Sequence, residues 1–479
     1  MPDDAFLPLL AETRALADRF TAAGKRLYLV GGIVRDTLLG RIRDELDIDL
    51  TTDATPDEIE AIVRSASPSA VWTQGKRFGT IGAHFRAASG DGVRAYEITT
   101  HRADSYAVDS RKPEVRFSTT VEEDLARRDF SVNAMAVAVT LGLRESDDGI
   151  GDLIDPFRGA RDLADKRLRT PLSAEVSFSD DPLRMLRAAR FIAGFGLRPV
   201  SEITDAVAAM RGRLSIVSAE RIRDELDKLL IVDDPSPGLW FLVGTGLADE
   251  FLPELPALAL EQDPLHRHKD VLKHTIAVVA RTRPERMLRL AALMHDIAKP
   301  RTRKVGPDGV SFHLHDVVGA RMTRDRMRAL KYSNEDVDDV SKLVALHLRV
   351  HTYAMGWSDA AVRRYVRDAG LLLPVLNELT RCDTTTRDER YAHELSRQMD
   401  ELESRIAALR EREDLGSIQP DLDGNEVMAH LGLGPGRDVG EALAMLLDAR
   451  LEHGPLGKVR AAEVLDAWWA TRSSRQDVR

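Results

Sequence analysis

The stretch LVGGIVRDTLLGRIRDELDIDLTT, residues 29–52, sets two aspartates into an apolar run near its end. Side chains of a β-strand alternate between its two faces, so the three apolar residues of LDIDL face one way and Asp47 and Asp49 face the other. Two neighbouring carboxylates raise each other's pKa unless a cation lies between them. A magnesium-sized cation with oxygen ligands is the natural partner, so the pattern predicts a strand with a metal-binding face.

The residues before this strand predict a phosphate-binding turn. YLVGGIVRDTLLG is typical of a strand over residues 27–30, a Gly-Gly turn, and a helix that ends near Gly40. Amides at a helix N-terminus hold phosphate well, and Gly31 and Gly32 let the backbone approach a ligand closely. Arg35 in the first helical turn is placed to reach an anion. Either motif alone is more often an ordinary turn or a solvated strand edge, whereas their order and spacing together favour a site.

The composition is that of a globular protein in a reducing compartment. The chain has 479 residues, 43% hydrophobic and 30% charged, which suggests roughly three or four domains. Its single cysteine, Cys382, excludes an internal disulfide framework. The N-terminus is acidic and amphipathic, and no apolar run reaches roughly eighteen residues. We therefore expect a cytoplasmic protein without membrane contact.

The net charge of −10 excludes a general polyanion binder, so any nucleic acid must contact a local basic patch. Three stretches are candidates, and each also fits ordinary solvated surface. They are DKRLRTP (165–171), ERIRDELDKLL (220–230) and KPRTRK (299–304).

The distribution of strand and helix signals predicts an α+β fold. Residues 1–158 alternate strand-like and helical runs, which indicates a mixed sheet, and from about residue 160 apolar residues recur at helical spacing. Turn-rich stretches place domain boundaries after residues 158 and 255, and a charged helix leads into a last segment over 396–479. We expect a mixed-sheet N-terminal domain followed by all-α domains.

Two further stretches carry candidate residues in the first domain. Glu97, in VRAYEITTHR, offers the third carboxylate that a two-metal site needs, if its strand lies beside the first. DLARRDFSVNAMAV, residues 124–137, is predicted as one helix whose apolar stripe includes Arg128 and Asp129. Charged side chains on such a stripe need a cleft or, alternatively, a buried ion pair at a domain contact.

Five motifs in order carry a family resemblance. LVGGIVRD, LDIDLTT, DLARRDFSVNAMAV, DDPLRMLRAARF and AERIRDEL span residues 25 to about 230, and the chain resembles bacterial tRNA nucleotidyltransferases, whose family also includes poly(A) polymerases. The resemblance implies a polymerase beta-like nucleotidyltransferase head over 1–158 and a helical neck over 159–255 that binds the nucleotide base and RNA. Residues 102–117 resemble the flexible loop of that family.

The resemblance also implies roles for individual residues. Asp47 and Asp49 would ligate Mg²⁺, with Glu97 as the third catalytic acid. The nucleotide-binding residues would be Gly31, Gly32 and Arg35 at the triphosphate, Arg128 and Asp129 at the nucleotide or primer end, Asp181 and Arg184 at the base, and Arg187 and Arg190 farther along the same helix.

The base-selecting pair has independent physical support. Residues three apart on a helix are neighbours, and Pro182 suits the first helical position, so Asp181 and Arg184 can present an acceptor and a donor together. Cytosine and adenine each offer an amine beside an acceptor nitrogen, whereas guanine and uracil present a carbonyl there. The pair would therefore admit CTP and ATP. In the alternative, Asp181 only caps the helix and pairs locally with Arg184.

A second resemblance lies in a histidine-rich region. Eight of the thirteen histidines lie between His266 and His351, and VLKHTI, LAALMHDIAKP, FHLHDVVGA and RCDTTTRD follow the order of an HD-type metal phosphohydrolase domain. We place that domain at 256–395. The resemblance implies His274, His295, Asp296 and Asp383 as ligands of a divalent ion, with three histidines available for a second ion: His315, His347 and His351.

The C-terminal segment over 396–479 resembles the glycine-rich helical region that follows the HD domain in bacterial relatives, and we expect it to bind tRNA. Gly432, Gly434 and Gly436 there suit either an RNA phosphate or, more simply, a helix end.

Together the resemblances imply template-independent addition of CCA to the 3′ end of tRNA from CTP and ATP, with release of pyrophosphate. Poly(A) polymerase activity, or CC-only or A-only addition, stays open as an alternative within the family. From other classes, an HD-type phosphohydrolase acting on nucleotides or RNA ends and a noncatalytic RNA-binding protein are alternatives, although the intact acids argue against the last.

Overall fold

The computed structural model describes residues 3–41, 47–87, 92–102, 116–140, 151–260, 270–306, 309–384, 389–413, 415 and 418–476. The chain forms two compact units, Met1–Pro256 and Ala257–Arg479. The division falls beside the boundary expected after residue 255, and the finer boundaries after residues 158 and 395 stay predictions. Within the described residues, no helix is both long and apolar enough to cross a membrane.

The first unit is built on a seven-stranded mixed sheet, as the alternating sequence pattern predicts. Its strand order is β3-β4-β5-β2-β1-β6-β7, and only the β2–β5 pair is parallel. The strands are β1 (Leu27–Val30), β2 (Ile48–Thr52), β3 (Ala70–Trp72), β4 (Thr80–Arg86), β5 (Val93–Thr100), β6 (Ala136–Ala138) and β7 (Leu153–Ile154). The predicted strand over 27–30 is thus confirmed as β1.

Three helices cover one face of this sheet: α1 (Asp3–Ala22), α2 (Gly32–Leu38) and α3 (Pro56–Ser65). The core between them contains Ile48 and Leu50 of β2. Because side chains alternate along a strand, Asp49 lies on the opposite face, away from this helical layer. The alternation of side chains along the strand therefore keeps the acids out of the main core.

The other helices of the first unit follow the helical periodicity of the sequence. They are α4 (Val121–Ala126), α5 (Gly159–Ala164), α6 (Ala174–Asp180), α7 (Leu183–Phe195), α8 (Ser201–Met210), α9 (Ala219–Leu230), α10 (Ser236–Gly244) and α11 (Glu254–Ala257). α7 is central and packs on α9 and α10. Gly238 lets α10 approach α7 closely, since a Cβ there would lie 2.5 Å from the carbonyl oxygen of Ala189. We expected only helices from about residue 160. The structure corrects this expectation, because β8 (Arg167–Leu168) and β9 (Arg198–Pro199) form a small parallel pair.

The single helix predicted over 124–137 is wrong. α4 ends at Ala126, a 3₁₀ turn follows over Ser131–Asn133, and β6 then joins the sheet beside β1. The backbone hydrogen bonds are formed with distant segments, because the N–H of Ser131 donates to the carbonyl of Arg169. Long-range pairing therefore overrides the helical spacing of the apolar residues.

The second unit is helical apart from one hairpin, β10 (Lys304–Gly306) with β11 (Gly309–Ser311). Its helices are α12 (Val271–Arg281), α13 (Arg286–Met294), α14 (Lys299–Thr302), α15 (His315–Ala329), α16 (Asn334–Leu346), α17 (Asp359–Ala369), α18 (Leu373–Asp383), α19 (Glu389–Arg412), α20 (Gly424–Leu431), α21 (Arg437–His453) and α22 (Gly457–Gln476). Gly432 ends α20 with φ 67°, which is the simpler of its two predicted roles.

Candidate functional site

Three acids meet on the face of the sheet opposite α1, α2 and α3. Asp49 of β2 and Glu97 of β5 are direct register partners in the parallel pair, and Asp47 comes one residue before β2 begins. Asp49 is half-buried, whereas Asp47 and Glu97 are exposed. Burial raises the pKa of Asp49 to about 6; Arg128 opposes this rise, and Glu97 and Asp47 add to it. A cluster of carboxylate oxygens with this concentration of negative charge fits a hard divalent cation.

The glycine turn brings a cation close to these acids. Gly31 has φ 77° and precedes α2, and a Cβ at this position would lie 2.7 Å from Nη1 of Arg128. Nη2 of Arg128 donates to Oδ2 of Asp124 at 3.0 Å, while its buried Nε has no hydrogen-bond partner among the described residues. Only a glycine admits the guanidinium so near the turn, which places a positive charge beside the acids.

Arg35 is engaged elsewhere. It is buried, and its Nη1 donates to Oδ1 of Asn133 at 2.7 Å while Nε and Nη2 donate to Asp36. Its guanidinium also lies 4.0 Å from the ring centre of Phe195. In this arrangement Arg35 ties α2 to α7, and its contact with a triphosphate stays a prediction.

Asp129 is the centre of a buried ion-pair network. Its Oδ2 accepts from Nε and Nη2 of Arg187 at 2.9 and 2.6 Å, and its Oδ1 accepts from Nδ2 of Asn133 at 2.9 Å. Burial favours the neutral acid, but Arg187 outweighs it and holds the pKa of Asp129 well below its usual range. Arg187 also reaches Glu225 of α9, which pairs with Arg190 at 2.8 Å. Asp129 therefore connects the turn after α4 to α7 and α9.

Asp181 and Arg184 do not pair with each other. Oδ2 of Asp181 accepts from Nη2 of Arg221 at 3.0 Å, and its Oδ1 caps α7 by accepting from the N–H of Leu183. Arg184 is buried and donates to Oγ of Ser177 at 2.8 Å and to a backbone carbonyl. The alternative interpretation was that Asp181 caps the helix and pairs with Arg184. The contact of Asp181 with the helix N-terminus is present, and the ion pair with Arg184 is not. Arg221 is a partner that the sequence analysis missed, although it lies within the AERIRDEL motif.

The second unit gathers all seven predicted metal-ligating residues. Nε2 of His274 lies 2.9 Å from Oδ1 of Asp383, and Nε2 of His295 lies 3.2 Å from Oδ2 of Asp296. Two sets have ligand atoms within 4.8 Å of one another. These sets are His274, His295 and Asp383, and Asp296, His315 and His347. His351 lies at the rim, 3.6 Å from Oδ2 of Asp383.

The orientation of three histidines fits metal coordination. Nδ1 of His295, His315 and His347 each lies 2.6 to 2.7 Å from the carbonyl oxygen three residues earlier. This contact fixes Nδ1 as the donor and leaves the lone pair of Nε2 for the cluster. Nε2 of His347 is buried and finds no hydrogen-bond partner within the part of the chain that the structure describes, and the buried Nε2 of His315 lies 3.5 Å from Oδ1 of Asp296. A divalent ion would satisfy both atoms.

The charge of the cluster supports the same conclusion. Burial disfavours a charged His295, yet Asp296 and Asp383 outweigh burial and raise its pKa to about 10. The two carboxylates concentrate negative charge at the cluster, part of which Lys299 balances at 2.7 Å from Asp296, and a divalent ion would balance the rest.

Some predicted features lie outside the described residues. They are most of the loop-like segment at 102–117, His266 and His268 in the histidine-rich region, and Leu46 before β2.

Comparison with known proteins assigns the parts of the chain. The family model named Poly A polymerase head domain matches residues 27–169, the one named Probable RNA and SrmB-binding site of polymerase A matches 196–258, and the one named HD domain matches 271–409. The CTP complex of the Bacillus stearothermophilus CCA-adding enzyme has the same fold, with a TM-score of 0.69 at 24% identity over 98% of this chain and 99% of that one.

Sequence relatives extend over most of the chain. An A-adding tRNA nucleotidyltransferase of Deinococcus radiodurans is 38% identical over 365 residues, which cover 73% of this chain and 80% of that protein. A CCA-adding enzyme of Geobacillus thermodenitrificans is 32% identical over 387 residues, covering 81% of this chain and 80% of that protein. The chain therefore belongs to the tRNA nucleotidyltransferase family.

Proposed function

We propose that this protein adds CCA to the 3′ end of tRNA from CTP and ATP without a nucleic-acid template. The observation that carries the proposal is the register pairing of Asp49 with Glu97, beside Asp47 and within reach of the charge of Arg128. In the reaction the terminal 3′-oxygen bonds to the α-phosphorus of the nucleotide, the bond to pyrophosphate breaks, and the hydroxyl proton is released. Mg²⁺ held by Asp47, Asp49 and Glu97 would supply positive charge at the attacking and leaving oxygens.

The chain itself positions the phosphates. At Gly31 the space that a side chain would fill is occupied by Nη1 of Arg128, so the guanidinium lies against the turn where the triphosphate would bind and would supply positive charge to its oxygens. Asp124 holds Arg128 in place, because Arg128 and Arg127 both donate to its fully buried carboxylate. Orientation of this kind is a major source of rate acceleration in phosphoryl transfer.

Base selection is assigned to Asp181 and Arg184, with Arg221 as the group that holds Asp181. Asp181→Ala should lower kcat/KM for CTP and ATP by about 10- to 100-fold while changing GTP and UTP incorporation little, because a bidentate base contact contributes roughly 1–3 kcal/mol of discrimination. Single-nucleotide incorporation with each of the four triphosphates measures this. The control is Asp205→Asn, which changes an exposed residue of α8. An unchanged ratio between the four nucleotides in Asp181→Ala would remove Asp181 from the selector.

The product distinguishes the members of the family. The purified protein and Mg²⁺ are incubated with three tRNAs, one lacking CCA, one ending in C and one ending in CC, with CTP, ATP or both, and products are resolved at single-nucleotide length. Addition that stops at CCA on all three supports the proposal. A single A added only to the CC end identifies an A-adding enzyme, and long ATP tails identify a poly(A) polymerase. No addition to any primer rejects all three.

A second candidate function is metal-dependent phosphohydrolysis at the HD cluster. The buried Nε2 of His347, which has no hydrogen-bond partner among the described residues, favours it, together with a cavity of about 160 Å³ beside His351. His351, Thr380, Arg381 and Met399 line this cavity. This cavity would bring a small phosphate ester to the cluster on the side of His351.

His295→Ala should weaken binding of Mn²⁺ to the HD cluster by at least about 10-fold, because it removes a buried ligand and the imidazole that lies beside Asp296 and Asp383. Calorimetric titration on an Asp49→Asn background isolates this site from the first unit. His430→Ala, at a partly exposed histidine paired with Asp466, is the matched control. Equal Mn²⁺ affinity in the His295 and His430 variants would rule out a metal site here. The activity itself would be established if the wild-type protein hydrolyses a nucleoside cyclic phosphate and His295→Ala does not.

A further inference from the structure

A tryptophan shares the acid face of the sheet. Trp72 of β3 is the register partner of Gly82 in β4, Gly82 is the partner of Glu97 in β5, and Glu97 is the partner of Asp49 in β2. Residues directly opposite each other on neighbouring strands point to the same face. Trp72, Gly82, Glu97 and Asp49 therefore form one row across the sheet.

Gly82 allows the indole to lie over the sheet toward the acids. A Cβ at Gly82 would lie 1.9 Å from Cε2 and 2.0 Å from Nε1 of Trp72, so the indole occupies the space that a side chain of β4 would fill. Neighbouring strands lie about 4.8 Å apart, which puts the ring roughly one strand from Glu97 and two from Asp49. The imidazole of His84 packs on the ring at 4.8 Å with an interplanar angle of 70°.

Trp72 is only half-buried, although tryptophan is a large and mostly apolar side chain. Its neighbour Val71 points to the opposite face and packs against the core beneath α1, α2 and α3. On this face the tryptophan packs on His84 and over Gly82, outside the main core that Val71 joins. Its position suits an aromatic surface that a ligand completes.

The strand order indicates which ligand this is. Gly31 follows β1, so the sequence β3-β4-β5-β2-β1 places the glycine turn and Trp72 on opposite sides of the three acids. If the triphosphate occupies the side of Gly31, as in the proposed function on which this step rests, the second reactant approaches from the side of Trp72. That reactant is the 3′ end of the RNA.

We propose that Trp72 is a binding residue for the RNA primer and stacks on the base of its 3′-terminal nucleotide. Aromatic side chains stack on unpaired RNA bases, and each such contact contributes roughly 1–3 kcal/mol. Stacking tolerates every base, since each has a π-face. A growing end presents a different terminal base after each addition, so a stacking surface serves every step where a hydrogen-bonding pocket would serve one.

The test compares tRNA primers with a normal or an abasic 3′-terminal nucleotide in wild type, Trp72→Leu and Trp72→Phe. With the normal base, Trp72→Leu should raise KM for tRNA by about 5- to 150-fold with KM for CTP unchanged, and Trp72→Phe should retain most of the affinity. With the abasic primer, wild type and Trp72→Leu should have the same KM. Leu7→Ala, at an exposed apolar residue of α1 on the other side of the sheet, is the control.

The outcomes separate this proposal from the proposed function. A Trp72→Leu defect of equal size on both primers, or a raised KM for CTP, would identify a structural role and overturn the stacking assignment. The absence of any defect on the normal primer would overturn it too. No nucleotide addition by wild type on any primer would instead overturn the proposed function.

Discussion

Asp49→Asn should reduce nucleotide addition by about 10³-fold or more and leave the fold intact. Asparagine keeps the shape of the side chain and removes the charge that the metal and the reaction need. Stability should not fall, because burial raises the pKa of Asp49 to about 6. A carboxyl group whose pKa is raised by folding destabilises the protein once pH exceeds its unfolded value, increasingly up to about pH 6, and asparagine removes this penalty.

The measurement is single-turnover addition of CMP to a tRNA that lacks CCA, with urea unfolding recorded in parallel. Asp47→Asn should behave in the same way with respect to activity. Asp18→Asn, at an exposed aspartate of α1, is the control and should match wild type. Retained addition in both the Asp47 and the Asp49 variants would remove the catalytic assignment of this face.

Asp129→Ala should destabilise the first unit by about 3 kcal/mol, since removing one partner of a buried ion pair leaves the other uncompensated. Arg187 keeps a contact with Glu225, which limits the loss to the lower end of the usual range. Asn133 also loses its acceptor. Urea unfolding at pH 7 measures the change, and nucleotide addition should fall with it because the turn that carries Arg128 loses its anchor.

The pH dependence gives an independent check. Arg187 overcomes the effect of burial and holds the pKa of Asp129 well below its usual range, so the contribution of Asp129 to stability is full above about pH 4 and declines as pH falls toward the folded pKa. Asp129→Ala should therefore lose stability less steeply than wild type below pH 4. A change of less than about 0.5 kcal/mol at pH 7, which is typical of surface positions, would contradict the structural role.

The elements that sequence predicts well are those with strong local patterns. β1, the turn at Gly31 and α7 follow from apolar periodicity and glycine placement. Each of these depends on residues close together in the chain. The sequence also predicts that Asp47 and Asp49 share a face, because two-residue alternation is fixed by strand geometry.

The failures arise where distant segments decide the structure. The helix expected at 124–137 gives way to a turn and β6 because the backbone there bonds to β1 and to Arg169. Arg221, forty residues from Asp181 in the chain, is a partner of Asp181 that local spacing does not reveal. Arg35 contacts Asn133 and Phe195, which its place in a helical turn does not reveal, and its contact with a triphosphate stays a prediction. None of these partners can be read from local spacing.

The parallel pairing of β2 with β5 has a consequence for how the protein folds. Asp49 and Glu97 are neighbours across one strand pair, but α3, β3 and β4 must be made between them in the chain. Closing so long a loop is entropically costly, and contacts of this separation slow folding. During synthesis, the first acids emerge well before β5 can dock beside them. The triad of acids is therefore complete only after the sheet has closed on β5, so a nascent or partly folded chain carries an unfinished acid face.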